Sequence, residues 1–345
     1  MCELDELNTA KDFRRFWKAK SVQVVLFVGD YKGKNVDLCR ESPDFSSIIG
    51  LADVRLDLDD EISNEDRRYY SALAIMASKI AYENEARVKK IVNDKWKMEH
   101  IGFYNCSNGL QKCNERYAKW PKEIEEDKQN GHTFAYYKIR ELLREKLKKN
   151  KNVRFMVTGH SLGGALAVLF PAILAFHKEF ELLERLDGVY TFGQPRVGDD
   201  NFCRFMEDLG VNRYFRFVYA NDIVPIVPFD NSDFGFKHFG NCYHFNSFYN
   251  GQVVKEVHNK NYVSKKLALA HLNAVFELVR SLALPYLYGR KYKEGLLLMK
   301  VRLFGLIFPG ASTHCPQDYV NLTRLASRNF FYSLNYNYTE VEIDD

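Results

Sequence analysis

Apolar residues recur along this chain with two different periods. Leu73, Met76, Ala77, Ile80 and Ala81 fall three and four residues apart, which predicts an amphipathic helix over roughly 64–92. Tyr136, Ile139, Leu142, Leu143 and Leu147 repeat the pattern between Thr133 and Lys149. Basic residues crowd the end of that second helix, where the backbone dipole favours positive charge. The period then changes. Val153 to Val157 is a short β-branched and aromatic run suited to a buried parallel strand. It leads through a glycine-rich turn into an apolar helix from Ala165 to about Phe176. Val189 to Phe192 and Tyr214 to Tyr219 predict two further buried strands, each after a helical stretch. Strands alternating with helices predict an α/β chain with a parallel sheet covered on both faces. Helices near 264–284 and 291–304, then a loop holding His314, are expected in the last third.

The polar stretches between these elements read as loops. Asp57, Asp59, Asp60 and Glu61 lack the glycine and closing glutamate of a calcium loop, so a solvated turn is expected there. Gly29 to Asn35 is one residue short of a phosphate loop and ends in Asn35, where magnesium would need Ser or Thr. Residues 112–130 are densely charged and poor in aliphatics, and read as a solvated loop or broken helix.

Composition narrows the class. Of 345 residues, 46% are hydrophobic and 27% charged, which is ordinary for a globular chain. Aromatic residues reach 14%, enough to fill a core and also to grip acyl chains. A net charge of +4 gives mild attraction to anionic membrane surfaces and no case for nucleic acid. The seven cysteines include no Cys-x-x-Cys pair, so neither a metal site nor a disulfide framework is expected, and a reducing, intracellular setting is. Val22 to Val28 is too short for a transmembrane helix or a signal peptide.

The chemistry gathers around Gly159-His160-Ser161-Leu162-Gly163-Gly164, between the first strand and the apolar helix. A turn this sharp holds a serine in a strained conformation, so the neighbours within one turn must be small. Gly159, Gly163 and Gly164 meet that need. The Leu162 amide lies at the helix N-terminus, where it can stabilise an oxyanion. A serine hydroxyl needs a base, and the base needs an orienting carboxylate. In sheets built this way the acid and then the histidine follow the serine along the chain. Asp222, in Asn221-Asp222-Ile223-Val224-Pro225, lies just past a strand at the sheet's carboxyl edge. Several histidines compete for the base: His238 and His244 in an aromatic stretch, His258 in a polar loop, His271 on a helix face and His314 in the late loop.

Four segments together resemble the class 3 lipase family, nearest the plant oil-body type of triacylglycerol lipase. They are Gly159 to Ala167, Tyr190-Thr-Phe-Gly-Gln-Pro-Arg-Val-Gly198, Asn221 to Pro225, and His314-Cys-Pro-Gln-Asp-Tyr319. Ala77 to Asn84 and Tyr292 to Gly295 extend the likeness over most of the chain. The resemblance implies an α/β-hydrolase fold over residues 61–345, with its core at 133–325, after an N-terminal extension over 1–60. It implies Ser161 as nucleophile, Asp222 as orienting acid and His314 as general base. It further implies hydrolysis of acylglycerol substrate at a lipid–water interface, on a lipid droplet or associated membrane surface, without cofactor or metal.

One family feature is missing. The family carries a strand ending in Ser/Thr-Phe-Arg-Gly-Thr that completes the oxyanion hole, and no Arg-Gly dipeptide occurs in this chain. The sheet is therefore expected to be shortened before the nucleophile strand. Losing one oxyanion donor costs about 100- to 1,000-fold in turnover. Three readings follow: an acylglycerol hydrolase, a catalytically impaired lipase-like protein that binds lipid surfaces, or an esterase for phospholipids or galactolipids.

Overall fold

The computed structural model describes residues 41–104, 135–150, 152–209, 213–228, 235–255 and 265–334. At its centre lies a sheet in the order β1 (Phe155–His160), β2 (Leu186–Phe192), β3 (Tyr214–Tyr219), β4 (Cys242–Phe245) and β5 (Gly251–Val254). The first four strands run parallel and β5 returns antiparallel to β4. β1 runs further than the pattern from 153 to 157 suggested, because Gly159 and His160 stay in register with Thr191 and Phe192 of β2. Among the described residues β1 has a sheet neighbour on one side only. Residues 105–134, where the expected shortening falls, lie outside them, as does the Gly29–Asn35 turn.

Each sheet face packs its own core, and side chains alternate between them strand by strand. On one face Tyr190, Phe192, Phe215, Phe217, Tyr243 and Phe245 meet Ala74, Ile75 and Met76 of helix α2 (Tyr69–Ile80). The rings stack in rows across the strands, with Tyr190–Phe215 centroids 4.8 Å apart and Phe192–Phe217 5.2 Å. On the other face Val189 and Tyr214 meet Ala165, Ala167 and Val168 of helix α5 (Leu162–Phe176) and Phe202 and Met206 of helix α7 (Asp200–Asp208). The expected two-sided α/β sheet is what the chain builds.

The expected helix over 64–92 is broken. α2 stops at Ile80, and Asn84 caps a new start by accepting from the Arg87 amide, giving helix α3 (Glu85–Lys90) and a π turn over Ile91–Lys95. The side-chain cap offers the backbone a partner that a continuing helix would not need. Residues 41–60, on the N-terminal side of the anticipated boundary at 60, pack onto this body. Helix α1 (Ile48–Ala52) is followed by Asp53, whose carboxylate pairs with Arg55 at 2.8 Å and with Lys79 of α2 at 3.1 Å. The acidic turn is solvated at Asp57, Asp60 and Glu61, as expected, whereas the Asp59 side chain, 4% exposed, faces Arg324 and Lys291 at 3.5 Å each.

The other elements run α4 (Ala135–Lys149), α6 (Phe180–Glu184), α8 (Lys265–Tyr288), α9 (Leu296–Gly305), α10 (Pro316–Leu325) and α11 (Arg328–Ser333). The late loop therefore ends in a helix that the sequence pattern did not reveal, α10. A buried ion network joins three of these helices. Arg302 on α9 holds Asp318 on α10 at 2.7 Å and Glu294 at 2.9 Å, with Glu277 on α8 at 3.5 Å. Removing one member of such a network strands its partners without water and costs roughly 3–5 kcal/mol. The network fixes where α10 starts, two residues after His314.

Candidate active site

Three neighbouring strands leave the sheet at the same level. Ser161 N donates to the Phe192 carbonyl at 2.9 Å, Gly193 N to that of Phe217 at 3.1 Å and Ala220 N to that of Phe245 at 2.6 Å. Each of these residues has positive φ: 57° at Ser161, 58° at Gly193 and 44° at Ala220. For residues bearing a Cβ this conformation costs about 1–2 kcal/mol, and such strain concentrates at functional sites. The row it creates along the carboxyl edge carries the candidate chemistry.

Ser161 tops β1 and precedes α5 directly. A Cβ on Gly159 would stand 2.1 Å from the Gly163 carbonyl oxygen, and one on Gly164 would stand 3.0 Å from Gln194 Cβ. Gly159 is required by space, and Gly164 is tight, since a Cβ there would make Gln194 give by a few tenths of an ångström. Gly163 is neither: a Cβ there meets nothing within 4 Å, which corrects the expectation that it must be small. Leu162 is the first residue of α5, so its amide is one of the first-turn N–H groups that lack an intrahelical acceptor.

Asp222 follows β3 by three residues and is buried. Its Oδ1 accepts from Val224 N at 2.9 Å. Its Oδ2 accepts from Tyr319 Oη at 2.6 Å and meets His314 Nδ1 at 2.8 Å. Burial, then the adjacent Asp222 carboxylate, pushes the Tyr319 hydroxyl well above the usual phenol range, so it remains a donor. His314 closes a 3-10 turn over Ser312–His314, just before α10, and its ring is partly exposed. The Ser161 hydroxyl is half-buried and makes no hydrogen bond to this imidazole among the described residues. Such contacts are commonly long in unliganded sites and close when substrate arrives.

Gly193 lies between these groups. A Cβ there would come within 2.7 Å of Asp222 Oδ2 and 2.9 Å of His314 Nδ1. Its importance was hidden in sequence, because the constraint comes from side chains far along the chain. His160 is a second residue that sequence reasoning passed over. Its Nε2 lies 2.9 Å from the His314 carbonyl, which can only accept, so Nε2 carries the proton and Nδ1 accepts from Tyr82 Oη at 2.8 Å. Burial, then the neighbouring His314, lowers His160 well below the usual histidine range, so it stays neutral.

The competing histidines have other partners. His244 on β4 meets the Ala220 carbonyl at 3.0 Å, and His238 meets that of Pro225 at 2.7 Å. They hold the two ends of the turn that carries Asp222. Burial lowers both, which keeps them neutral donors to these carbonyls. His271 lies on α8, and His258 falls outside the described residues. Among the described residues no group of three or more His, Cys, Asp or Glu side chains could hold a metal ion.

Comparison with known proteins adds ancestry to this geometry. The family model described as "Lipase (class 3)" matches residues 86–232. A protein of Nicotiana tabacum named Triacylglycerol lipase OBL1 is 46% identical over 230 residues, covering 66% of this chain and 39% of the relative. The Arabidopsis thaliana protein of that name is 36% identical, covering 74% of this chain and 65% of its own length. Its Ricinus communis namesake is 32% identical, covering 83% and 76% respectively. The chain thus spans from 39% to 76% of the curated relatives it matches here.

Proposed function

The chain belongs to the class 3 lipase family, and from that premise we propose that it is a serine hydrolase of acylglycerol esters. Ser161 is the nucleophile, His314 the general base and Asp222 the orienting acid. The observation that carries the reading is the 2.8 Å contact between His314 Nδ1 and Asp222 Oδ2, packed against Gly193 beside the strained Ser161 turn.

The roles follow from the hydrogen bonds. Asp222 accepts a hydrogen bond from Nδ1–H, which leaves the Nε2 lone pair to take the proton of Ser161 as its oxygen attacks the ester carbonyl. The Leu162 amide, at the start of α5 where an N–H lacks an intrahelical acceptor, donates to the oxygen that becomes negative. His314 then returns the proton to the leaving alkoxide, giving an acyl-enzyme and a free alcohol. Water activated by the same Nε2 releases the fatty acid and restores Ser161. Tyr319 and Val224 hold the Asp222 carboxylate while the imidazole changes charge.

The relatives' name, triacylglycerol lipase, supports long-chain acylglycerols as substrate. Leu162, Leu166 and Ile223, each 37% exposed around the nucleophile and the acid, suit an acyl chain. Such substrates do not dissolve, so the enzyme meets them on a lipid droplet or an associated membrane surface. A second reading, a lipid-surface protein with impaired catalysis, has one observation behind it: among the described residues β1 is the sheet's edge.

The deciding experiment is fatty-acid release from emulsified triacylglycerol, phospholipid and galactolipid, comparing the chain with Ser161→Ala. Release from triacylglycerol that disappears in the variant upholds the proposal. Release from a polar lipid alone would change the substrate class. A folded chain that releases nothing from any of the three would leave the impaired reading in its place.

A further inference from the structure

Helix α8 is amphipathic in the opposite sense to a helix that faces water. Between Leu269 and Tyr288 its charged residues are Glu277 and Arg280, and both point inward. Glu277 accepts from Ser247 Oγ at 2.9 Å and faces Arg302 at 3.5 Å, while Arg280 reaches Asp318 at 3.3 Å. The outer face is apolar. Leu272, Val275, Val279, Leu282 and Tyr286 are each between 50% and 92% exposed. Helix α9 packs against α8 through Ser281 Oγ and Met299 Sδ, and its C-terminal end is also apolar. Leu303 and Phe304 there, with Ile307 and Phe308 just past it, are 51–67% exposed. Exposed apolar side chains repeated along one helix face mark an interaction site.

The charges around it indicate what covers it. From Leu269 to Gly310 the carboxylates are Glu277 and Glu294, and both are buried in the ion network. The exposed charges are all basic: Arg290, Lys291, Lys293 and Lys300. Lys291 is engaged with Asp59 and Glu61, which leaves Arg290, Lys293 and Lys300 as the exposed bases of this segment outside those pairs. Two copies of the chain meeting through this face about a two-fold axis would set base against base. A lipid surface with anionic headgroups satisfies both features, taking apolar side chains at the acyl boundary and the bases at headgroup level.

The surface adjoins the candidate site. Phe308 leads to Gly310, whose carbonyl accepts from the amide of Ile223, next to Asp222, at 3.3 Å, and His314 follows four residues later. Among the described residues no helix is long and apolar enough to cross a membrane. We propose that the outer face of α8, with the C-terminal end of α9, seats the chain on a lipid surface bearing anionic headgroups, beside the esterase site. The proposal rests on the acylglycerol reading for the purpose of that seating; the binding itself is independent of catalysis.

The test is flotation of the Ser161→Ala chain with phosphatidylcholine vesicles, with and without phosphatidylserine. The chain floats with the anionic vesicles, less so as salt rises. Val279→Glu with Leu282→Glu lowers partitioning at least about 30-fold. Lys293→Gln and Lys300→Gln each lower it about fivefold, on the anionic vesicles only. Circular dichroism and thermal melting check that each variant folds, and the lysine variants leave the apolar face intact. Flotation unaffected by either kind of substitution, or none with either vesicle, would overturn the proposal. So would a dimer in sedimentation that Val279→Glu and Leu282→Glu dissociate, which would assign the face to a second copy. Hydrolysis of a soluble short-chain ester by the Ser161 chain is measured separately. Its loss with flotation intact counts against the esterase reading and leaves the surface standing.

Discussion

Gly193→Ala probes the candidate site through a residue that contributes no side chain to it. The added Cβ would lie 2.7 Å from Asp222 Oδ2 and 2.9 Å from both Nδ1 and Cε1 of His314, against ordinary contacts of 3.4–4 Å. The carboxylate and the ring must therefore retreat by roughly 0.5–0.7 Å, or the strand end must move. The φ of +58° adds a second cost, about 1–2 kcal/mol for a residue with a Cβ. A misplacement of 1 Å at reacting groups costs about 100-fold in rate, so kcat on a soluble ester is expected to fall about 10- to 100-fold. KM should move little, and the melting point should drop by a few degrees. The assay is steady-state hydrolysis of a short-chain p-nitrophenyl ester, with thermal unfolding in parallel. A folded variant that keeps kcat within about threefold of the parent would refute the reasoning. The His314–Asp222 pair would then not be closed against Gly193 during turnover.

Other residues give independent checks. Tyr319→Phe removes one of three hydrogen bonds to Asp222, and loss of a bond to a charged group predicts about a tenfold fall in kcat with KM unchanged. An unchanged kcat would show that Val224 and His314 hold the carboxylate without it. Gly159→Ala drives a Cβ against the Gly163 carbonyl and should prevent stable folding of the elbow, whereas Gly163→Ala enters open space and should leave the melting point within a degree or two. Equal destabilisation by the two would contradict the elbow geometry. Asp53 supplies a pH prediction. Burial alone would raise its carboxyl, but Arg55 and Lys79 outweigh that and hold it well below the usual range. A depressed carboxyl favours the folded state above its unfolded value of about 4, and that contribution is lost as pH falls below it. Thermal stability should therefore decline below about pH 4, and less steeply in Asp53→Asn. Parallel acid profiles for parent and variant would dissociate the pair from acid stability.

Much of this arrangement was legible in the sequence because it is local. β1, the Ser161 turn and α5 are contiguous, and the demand for small residues at 159 and 164 is met within one turn of chain. Asp222 could be placed because it follows a buried strand at the sheet's carboxyl edge. The alternation of strands and helices announced a two-sided parallel sheet for the same reason, since each segment's period reports its own burial.

The tertiary structure decided what depends on distant partners. Sequence order left several histidines in contention. The fold turns His238 and His244 onto the backbone of the Asp222 turn, and brings His314 to the carboxylate across 92 residues. Gly193 and Tyr319 acquire their roles from side chains on other elements, and no local pattern encodes such contacts. α8 makes the point most clearly. Its spacing predicts a helix, but a period gives the separation of apolar positions and not the direction in which they face. Here the ion pairs with Arg302 and Asp318 claim the inner side and leave the apolar stripe outside. Chain-local chemistry fixes which residues can form an element; the partners that fill its buried side, supplied from elsewhere in the fold, fix its orientation.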